Sequence, residues 1–129
     1  MQDKIIDFTQ LEAWRMTHQI MLDVYEFTKL LPVEEKYNRM PQLKKCSSST
    51  PANIAEGFGR FHYQENIQFC RQARGSLEEA HNHILAARDL GQAPMDKCEK
   101  LIQQCLAARK VLNGYIHYLM ERRKDSVTK

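Results

Sequence analysis

Glu78 and His81 come closest to a metal-binding pair in this sequence, because their E-x-x-H spacing places two potential ligands on one helix face. A di-iron helix bundle needs a second such pair and two further inward glutamates. The sequence contains no second E-x-x-H. Glu78 and Glu79 are better explained by helix-surface pairs with Arg74 and His83. We therefore expect no metal and no other cofactor, and a metal-dependent bundle enzyme is only a third hypothesis.

Other reactive side chains form no catalytic set. The cysteines have no C-x-x-C or zinc-ligand spacing and no neighbouring base, which predicts reduced, buried, unreactive thiols. The serine run 47–50 precedes a proline and is explained by the hydrogen bonding of a distorted helix. The glycines around Phe58 lack the Lys-Ser/Thr of a phosphate-binding loop. We expect a protein that is not an enzyme. The four cysteines are Cys46, Cys70, Cys98 and Cys105.

Composition is typical of a small globular protein. Of its 129 residues, 43% are hydrophobic and 27% charged, and only four prolines and five glycines interrupt the chain. Clusters of β-branched residues bounded by turn signals are missing, which predicts an all-α fold. No apolar run approaches the roughly 20 residues that cross a membrane, and the N-terminus lacks the hydrophobic region of a secretion signal. We expect a soluble, cytoplasmic protein. The net charge of +3 permits an anionic partner without requiring one.

Apolar periodicity predicts the first two helices. The first begins with a capping box formed by Thr9 and Glu12, carries a wide apolar arc and ends at Leu31-Pro32. The second begins near Pro41 and continues through Pro51, which should kink it because proline removes a hydrogen bond. Two glycines in left-handed conformations, at positions 57 and 59, should close it.

Two more helices complete the predicted fold. The third spans roughly residues 63–90 and stops at Gly91, while Gly75 within it permits close helix contact. The fourth runs from about Pro94 to Arg123, where basic residues complement its dipole. Short connections predict an antiparallel up-down-up-down four-helix bundle. We expect one domain over residues 1–129, with flexible ends at 1–8 and 124–129.

The segment Pro51-Ala52-Asn53-Ile54-Ala55-Glu56-Gly57 resembles the hallmark of a bacterial four-helix-bundle family first noted in intervening sequences of large-subunit ribosomal RNA genes. Similarity extends to residues 11–14, 42–45, 75–79 and 89–91. The polar residues before Pro51, and Met40-Pro41, depart from the family pattern. The resemblance implies a bundle that assembles into homopentamers. It also implies kinship to accessory proteins of diversity-generating retroelements, which bind nucleic acid and partner a reverse transcriptase.

From these observations we predict a non-catalytic, homo-oligomeric protein, pentameric by resemblance, that binds RNA or DNA. Its context would be a ribosomal RNA intervening sequence or a retroelement reverse transcriptase. The alternative is a protein-interaction scaffold that binds no nucleic acid. Basic residues taken alone are more typical of a solvated surface, but five assembled copies would concentrate their charge and favour phosphate binding through counterion release. The predicted phosphate contacts are Lys44, Lys45, Arg60, Arg71, Arg74, Arg122, Arg123 and Lys124.

Overall fold

A computed structural model describes residues 4–128, which form four α-helices, two single-turn 3-10 helices and no strand. The all-α prediction is confirmed. Residues 1–3 and 129 of the predicted flexible ends lie outside the described residues. Among the residues described, no helix is both long and apolar enough to cross a membrane. The helices are α1 (Glu12–Thr28), α2 (Arg39–Phe58), α3 (Tyr63–Asp89) and α4 (Met95–Thr128).

The chain enters α1 through a cap that differs from the predicted one. A 3-10 helix, Phe8–Gln10, has its own capping box, in which the Asp7 carboxylate accepts from the Thr9 amide and the Gln10 side chain accepts from the Asp7 amide. Leu11 then occupies the N-cap of α1 and makes no side-chain cap bond. The predicted Thr9–Glu12 box was wrong, because Thr9 lies inside the 3-10 helix and is not the N-cap of α1.

Helix α2 continues unbroken through Pro51, as predicted for one helix and not two. It begins at Arg39, which places Pro41 within the first turn, where a missing N–H costs little. Two hydroxyls of the serine run bond backbone carbonyls, those of Ser47 and Thr50. They reach Lys44 O and Cys46 O and not, as expected, the carbonyl four residues before the proline.

The end of α2 does not use glycine as predicted. Gly59 has a right-handed conformation (φ −73°), and Phe61 is the residue with positive φ, at 63°. Gly57 has a different role, because α3 leaves no room for a side chain at this position. A Cβ there would lie 2.7 Å from Asn66 Oδ1 and 2.9 Å from Phe69 Cβ, so this glycine lets α2 approach α3 closely.

Helix α3 ends as predicted at Gly91, whose φ is +67°. Gln92 donates to Ala87 O at 2.8 Å and Gly91 donates to Arg88 O at 3.1 Å, the two bonds of a Schellman motif. Gly75, by contrast, has nothing within 4 Å of an added Cβ. The prediction that Gly75 permits close helix contact was wrong among the described residues, since its face of α3 is open.

Helix α4 is longer than predicted and runs through Thr128. Arg122, Arg123 and Lys124 therefore lie inside the helix, a turn or more before its end. The dipole at the helix terminus, which falls off within one turn, does not explain these three cations.

Each helix packs against two others: α2 against α1 and α3, and α4 against α1 and α3. The core has two clusters along the helices. One surrounds Val24, Leu43 and Ile84 and contains three of the four cysteines, while the other surrounds Ile54 and Leu112. Each of these five side chains is 0% exposed, and burying one contributes about 1.5–3 kcal/mol.

Surface ion pairs partly follow the prediction. Glu79 lies 3.9 Å from His83 as expected, but Glu78 pairs with Arg109 of α4 at 3.3 Å and not with Arg74.

The hallmark residues of α2 form hydrogen bonds within their own helix. Asn53 donates to Ser49 O, four residues back, and not across to another helix.

Candidate nucleic-acid interface

Three of the eight predicted phosphate contacts meet around the first turn of α3. Arg60 follows α2 and lies 3.8 Å from Glu65. From α4, Arg122 hydrogen-bonds Tyr63 and Arg123 donates to Gln64 Oε1. This turn therefore links the α2–α3 connection to the last third of α4, and we call these three arginines the end cluster.

The other predicted contacts lie elsewhere or are engaged differently. Lys44 lies over the Tyr25 ring of α1, at 5.3 Å, and Lys45 is exposed beside it. Arg74 donates to Asn113 of α4 at 3.0 Å. The remaining two are also exposed: Lys124 extends the end cluster along α4 and bonds Glu121, while Arg71 lies on α3. Of the eight predicted phosphate contacts, three therefore form the end cluster, which Lys124 extends, and the others are separate cations.

A groove of about 930 Å³ opens at the end cluster. It is formed by the N-terminal segment, the α2–α3 connection, the start of α3 and the end region of α4. Two of the chain's five phenylalanines and three of its five tyrosines line it. The lining residues are Lys4, Ile5, Ile6, Leu11, Phe58, Phe61, His62, Tyr63, Asn66, Tyr115, Tyr118, Leu119 and Arg122.

The floor of the groove is a hydrogen-bonded aromatic layer. The amide of Asn66, which is 8% exposed, donates to the Tyr115 hydroxyl at 3.2 Å. Burial raises the pKa of Tyr115 to about 12, so this phenol remains neutral. Tyr115 in turn stacks with Tyr118, with ring centroids 6.3 Å apart and planes 14° apart. Tyr118 is thereby presented on a fixed support, with 55% of its surface exposed.

The charged residues in the described lining of the groove are all positive. Its described lining includes Lys4 and Arg122 but no aspartate or glutamate. The hydrogen bond with Tyr63 raises the pKa of Arg122, and Asp125 adds a smaller contribution in the same direction. Arg60, just outside the lining, is partly neutralised by Glu56 at 3.1 Å.

A second cavity, of about 300 Å³ between α1 and α4, has the opposite character. Its lining contains the carboxylates Asp23 and Glu26 as well as Lys97 and Lys100. Asp23 is already held by Gln104 at 2.9 Å and by Gln19 at 3.0 Å. Of these two cavities, the groove at the end cluster is the one whose charge suits an anion.

Nucleophile and metal chemistry have little support in the described part of the chain. All four cysteines are free and buried, and burial raises the pKa to about 12 for Cys70 and Cys105 and to about 11 for Cys46. Thiols with such pKa values are poor nucleophiles at neutral pH. No group of three or more His, Cys, Asp or Glu residues that could hold a metal ion occurs among the described residues.

The aromatic half of the site was missed by sequence reasoning. Tyr118 falls on the outer side of the α4 stripe, and Phe61 follows a glycine and an arginine in a short connection. An aromatic residue at such positions is a signal in itself, because neither position belongs to an apolar face. Only the packing of α4 beside the α2–α3 connection brings the two rings to one groove.

Comparison with known families gives a clear result. A family model described as 23S rRNA-intervening sequence protein matches residues 9–114. The chain belongs to this family. A search of curated proteins found no match. The matched region includes the 51–57 hallmark, Arg60 and Phe61, whereas Tyr118 and Arg122 follow it. The family assignment predicted from the hallmark is confirmed, and Gly57 of that hallmark has a physical reason in the α2–α3 contact.

Proposed function

We propose that this protein is a non-catalytic, homo-oligomeric accessory protein that binds nucleic acid at the end cluster. The observation that carries the proposal is the groove whose described lining holds cations and aromatic rings but no carboxylate. Lys, Arg and aromatic side chains in one groove are typical of surfaces that track a phosphate backbone. The family name adds a link to ribosomal RNA intervening sequences, and a reverse transcriptase is the protein partner we propose to test first.

The end cluster supplies the main phosphate contacts in this proposal. Neutralising Arg122 and Arg123 together should weaken binding to all sequences alike. It should also reduce the slope of log affinity against log salt by about 0.7–0.9 for each lost contact. Substituting Lys29 and Lys36 by alanine is the matched control, because it removes the same charge at exposed positions outside the groove and outside the predicted contacts.

Fluorescence-anisotropy titrations of RNA and DNA at two salt concentrations measure both quantities. Equal affinity and slope for wild type and the Arg122→Ala/Arg123→Ala variant would contradict the assignment of these contacts. A wild-type protein that binds neither nucleic acid at low salt would contradict the proposal as a whole. The alternative would then be a protein-interaction scaffold, and its sign would be a partner retained in a pull-down after nuclease treatment.

Self-association is proposed to use the outer face of α1. Leu22 and Tyr25 of α1 are 46% and 41% exposed, and Leu30, just after the helix, is 45% exposed, although the other apolar stripe of this helix is buried in the core. An apolar face of this kind favours a second subunit contact, and a pentamer is the number that the resemblance implies. Light scattering coupled to gel filtration should report five copies for wild type and fewer for Leu22→Lys. Gln103→Lys, at an exposed position of α4, should leave the mass unchanged.

We also propose the finer features of the predicted fold. The short connections 59–62 and 90–94 and the ring of helix neighbours support an antiparallel up-down-up-down bundle. Pro51 supports a kink in α2, which would be a change in helix axis of more than about 20° in an experimental structure. A cytoplasmic location completes the proposal, and fractionation of cells that express the protein would test it.

A further inference from the structure

We infer that the groove at the end cluster binds unpaired nucleobases, with Phe61 and Tyr118 as stacking surfaces. The ligand class is therefore single-stranded nucleic acid or an unpaired loop, and not a regular duplex. This inference rests on the proposed function and adds to it the kind of nucleic acid that the site selects.

Phe61 is the residue that requires an explanation. Its backbone lies in the left-handed region (φ 63°), which costs roughly 1–2 kcal/mol for a residue with a Cβ atom. The ring is nevertheless 89% exposed, so burial within the described residues does not offset this cost. Glycine would adopt the same backbone without strain. Strained residues that persist in this way cluster at functional sites.

Tyr118 provides a second ring in the lining of the same groove. It comes from α4, is 55% exposed and is supported from behind by Tyr115. Tyr115 is in turn held by its hydrogen bond from Asn66. Two aromatic faces on separate elements, one of them fixed by a hydrogen-bonded neighbour, suit the sequence-tolerant stacking of bases.

The charges distinguish a nucleic acid from a neutral apolar partner. Lys4 and Arg122 line the same groove without a carboxylate among the described lining residues. Phosphates could contact these cations while the attached bases stack on the rings. In a regular duplex the bases stack on one another, and proteins reach base faces mainly in loops, bulges and single strands. The combination of rings and cations therefore favours unpaired bases.

The test compares a fluorescein-labelled 12-nucleotide oligo-uridine with a hairpin-free RNA duplex of the same length, at one salt concentration. Phe61→Gly removes the ring and relieves the backbone strain, so this variant should fold. We expect it to weaken single-strand binding roughly 5- to 150-fold, the range that corresponds to one lost stacking contact. Duplex binding and the salt slope should not change. Phe61→Trp should retain single-strand affinity.

Tyr37→Ala is the matched control, because Tyr37 is 87% exposed and lies outside the groove. Its single-strand affinity should equal that of wild type. If Phe61→Gly leaves single-strand affinity unchanged while Arg122→Ala lowers it, the stacking inference is wrong and the proposed function stands. If Phe61→Gly alters the oligomeric mass instead of the affinity, the ring contacts another subunit and the inference is also wrong. A wild type that binds neither RNA removes the proposed function and this inference together.

Discussion

Replacing Gly57 by alanine tests the close contact between α2 and α3 at this residue. The new Cβ would lie 2.7 Å from Asn66 Oδ1, 2.9 Å from Phe69 Cβ and 3.1 Å from Asn66 O. Of these atoms, only Asn66 Oδ1 can move by side-chain rotation. The Cβ of Phe69 and the backbone oxygen of Asn66 move only if the helices separate or slide, and the Asn66 side chain also holds Tyr115 at the floor of the groove.

The expected magnitude is the difference between two effects. Overpacking costs typically about 1–3 kcal/mol, and the upper half applies here because two of the three contacts are rigid. Alanine in place of a helical glycine recovers up to about 1 kcal/mol. We therefore expect Gly57→Ala to lower the free energy of unfolding by about 1–2 kcal/mol.

Urea denaturation followed by circular dichroism measures this change. For a slope of about 2 kcal/mol/M, in the middle of the range for small proteins, the midpoint should fall by about 0.5–1 M with an unchanged slope. Wild type and variant must be compared at one protein concentration, since association couples stability to concentration. An unchanged or raised midpoint would refute the close contact at Gly57.

The matched controls are Gly75→Ala and Gly114→Ala. Both glycines lie inside helices, and an added Cβ would meet nothing within 4 Å. Each variant should gain about 0.5–1 kcal/mol, because alanine loses less backbone entropy in a helix. A loss at either position would show that another subunit covers that face.

Three further predictions concern titration, thiol reactivity and ion pairing. Burial, and secondarily Arg39, lowers the pKa of His83. Because the folded pKa lies below the unfolded value, the contribution of His83 to stability should be complete above about pH 6.5 and should be lost as the pH decreases below it. The loss of stability at low pH should be smaller in His83→Gln. The four buried cysteines should react with a thiol reagent at the rate of unfolding and not faster. The measurement is labelling of the native protein at about pH 8, and a thiol that reacted at once would contradict the prediction. A double-mutant cycle for Glu78 and Arg109 should give a coupling of about 0.2–1 kcal/mol, while the cycle for Glu78 and Arg74 should give none.

Helix positions followed from local information and could be predicted. The spacing of apolar residues in 63–90 predicted α3 to within one residue at its C-terminus, because Gly91 ends the helix through its own backbone conformation. The hallmark around Pro51 identified the family. The cysteines were correctly predicted as buried, since they fall on the same faces as the aliphatic residues of their helices.

Features that depend on neighbouring helices were predicted less well. Gly75 and Gly57 are both glycines near or inside a helix, and sequence alone assigned close packing to the wrong one. The difference is that α3 approaches Gly57, whereas the face at Gly75 is open. Glu78 has Arg74 four residues away in sequence but pairs with Arg109, because α4 brings that cation to 3.3 Å.

The sequence by itself determined the helices, the family and the number of cations, because each depends on residue type and spacing along one segment. Tertiary structure decided which cations lie close together, by placing Arg60, Arg122 and Arg123 around one turn of α3 and leaving Lys44 beside Tyr25. It also formed the aromatic groove, in which the rings of residues 58–63 meet those of residues 115–118, more than 50 residues away in the chain. Such a site depends on how separate helices pack, and helical periodicity describes only which face of each helix turns inward.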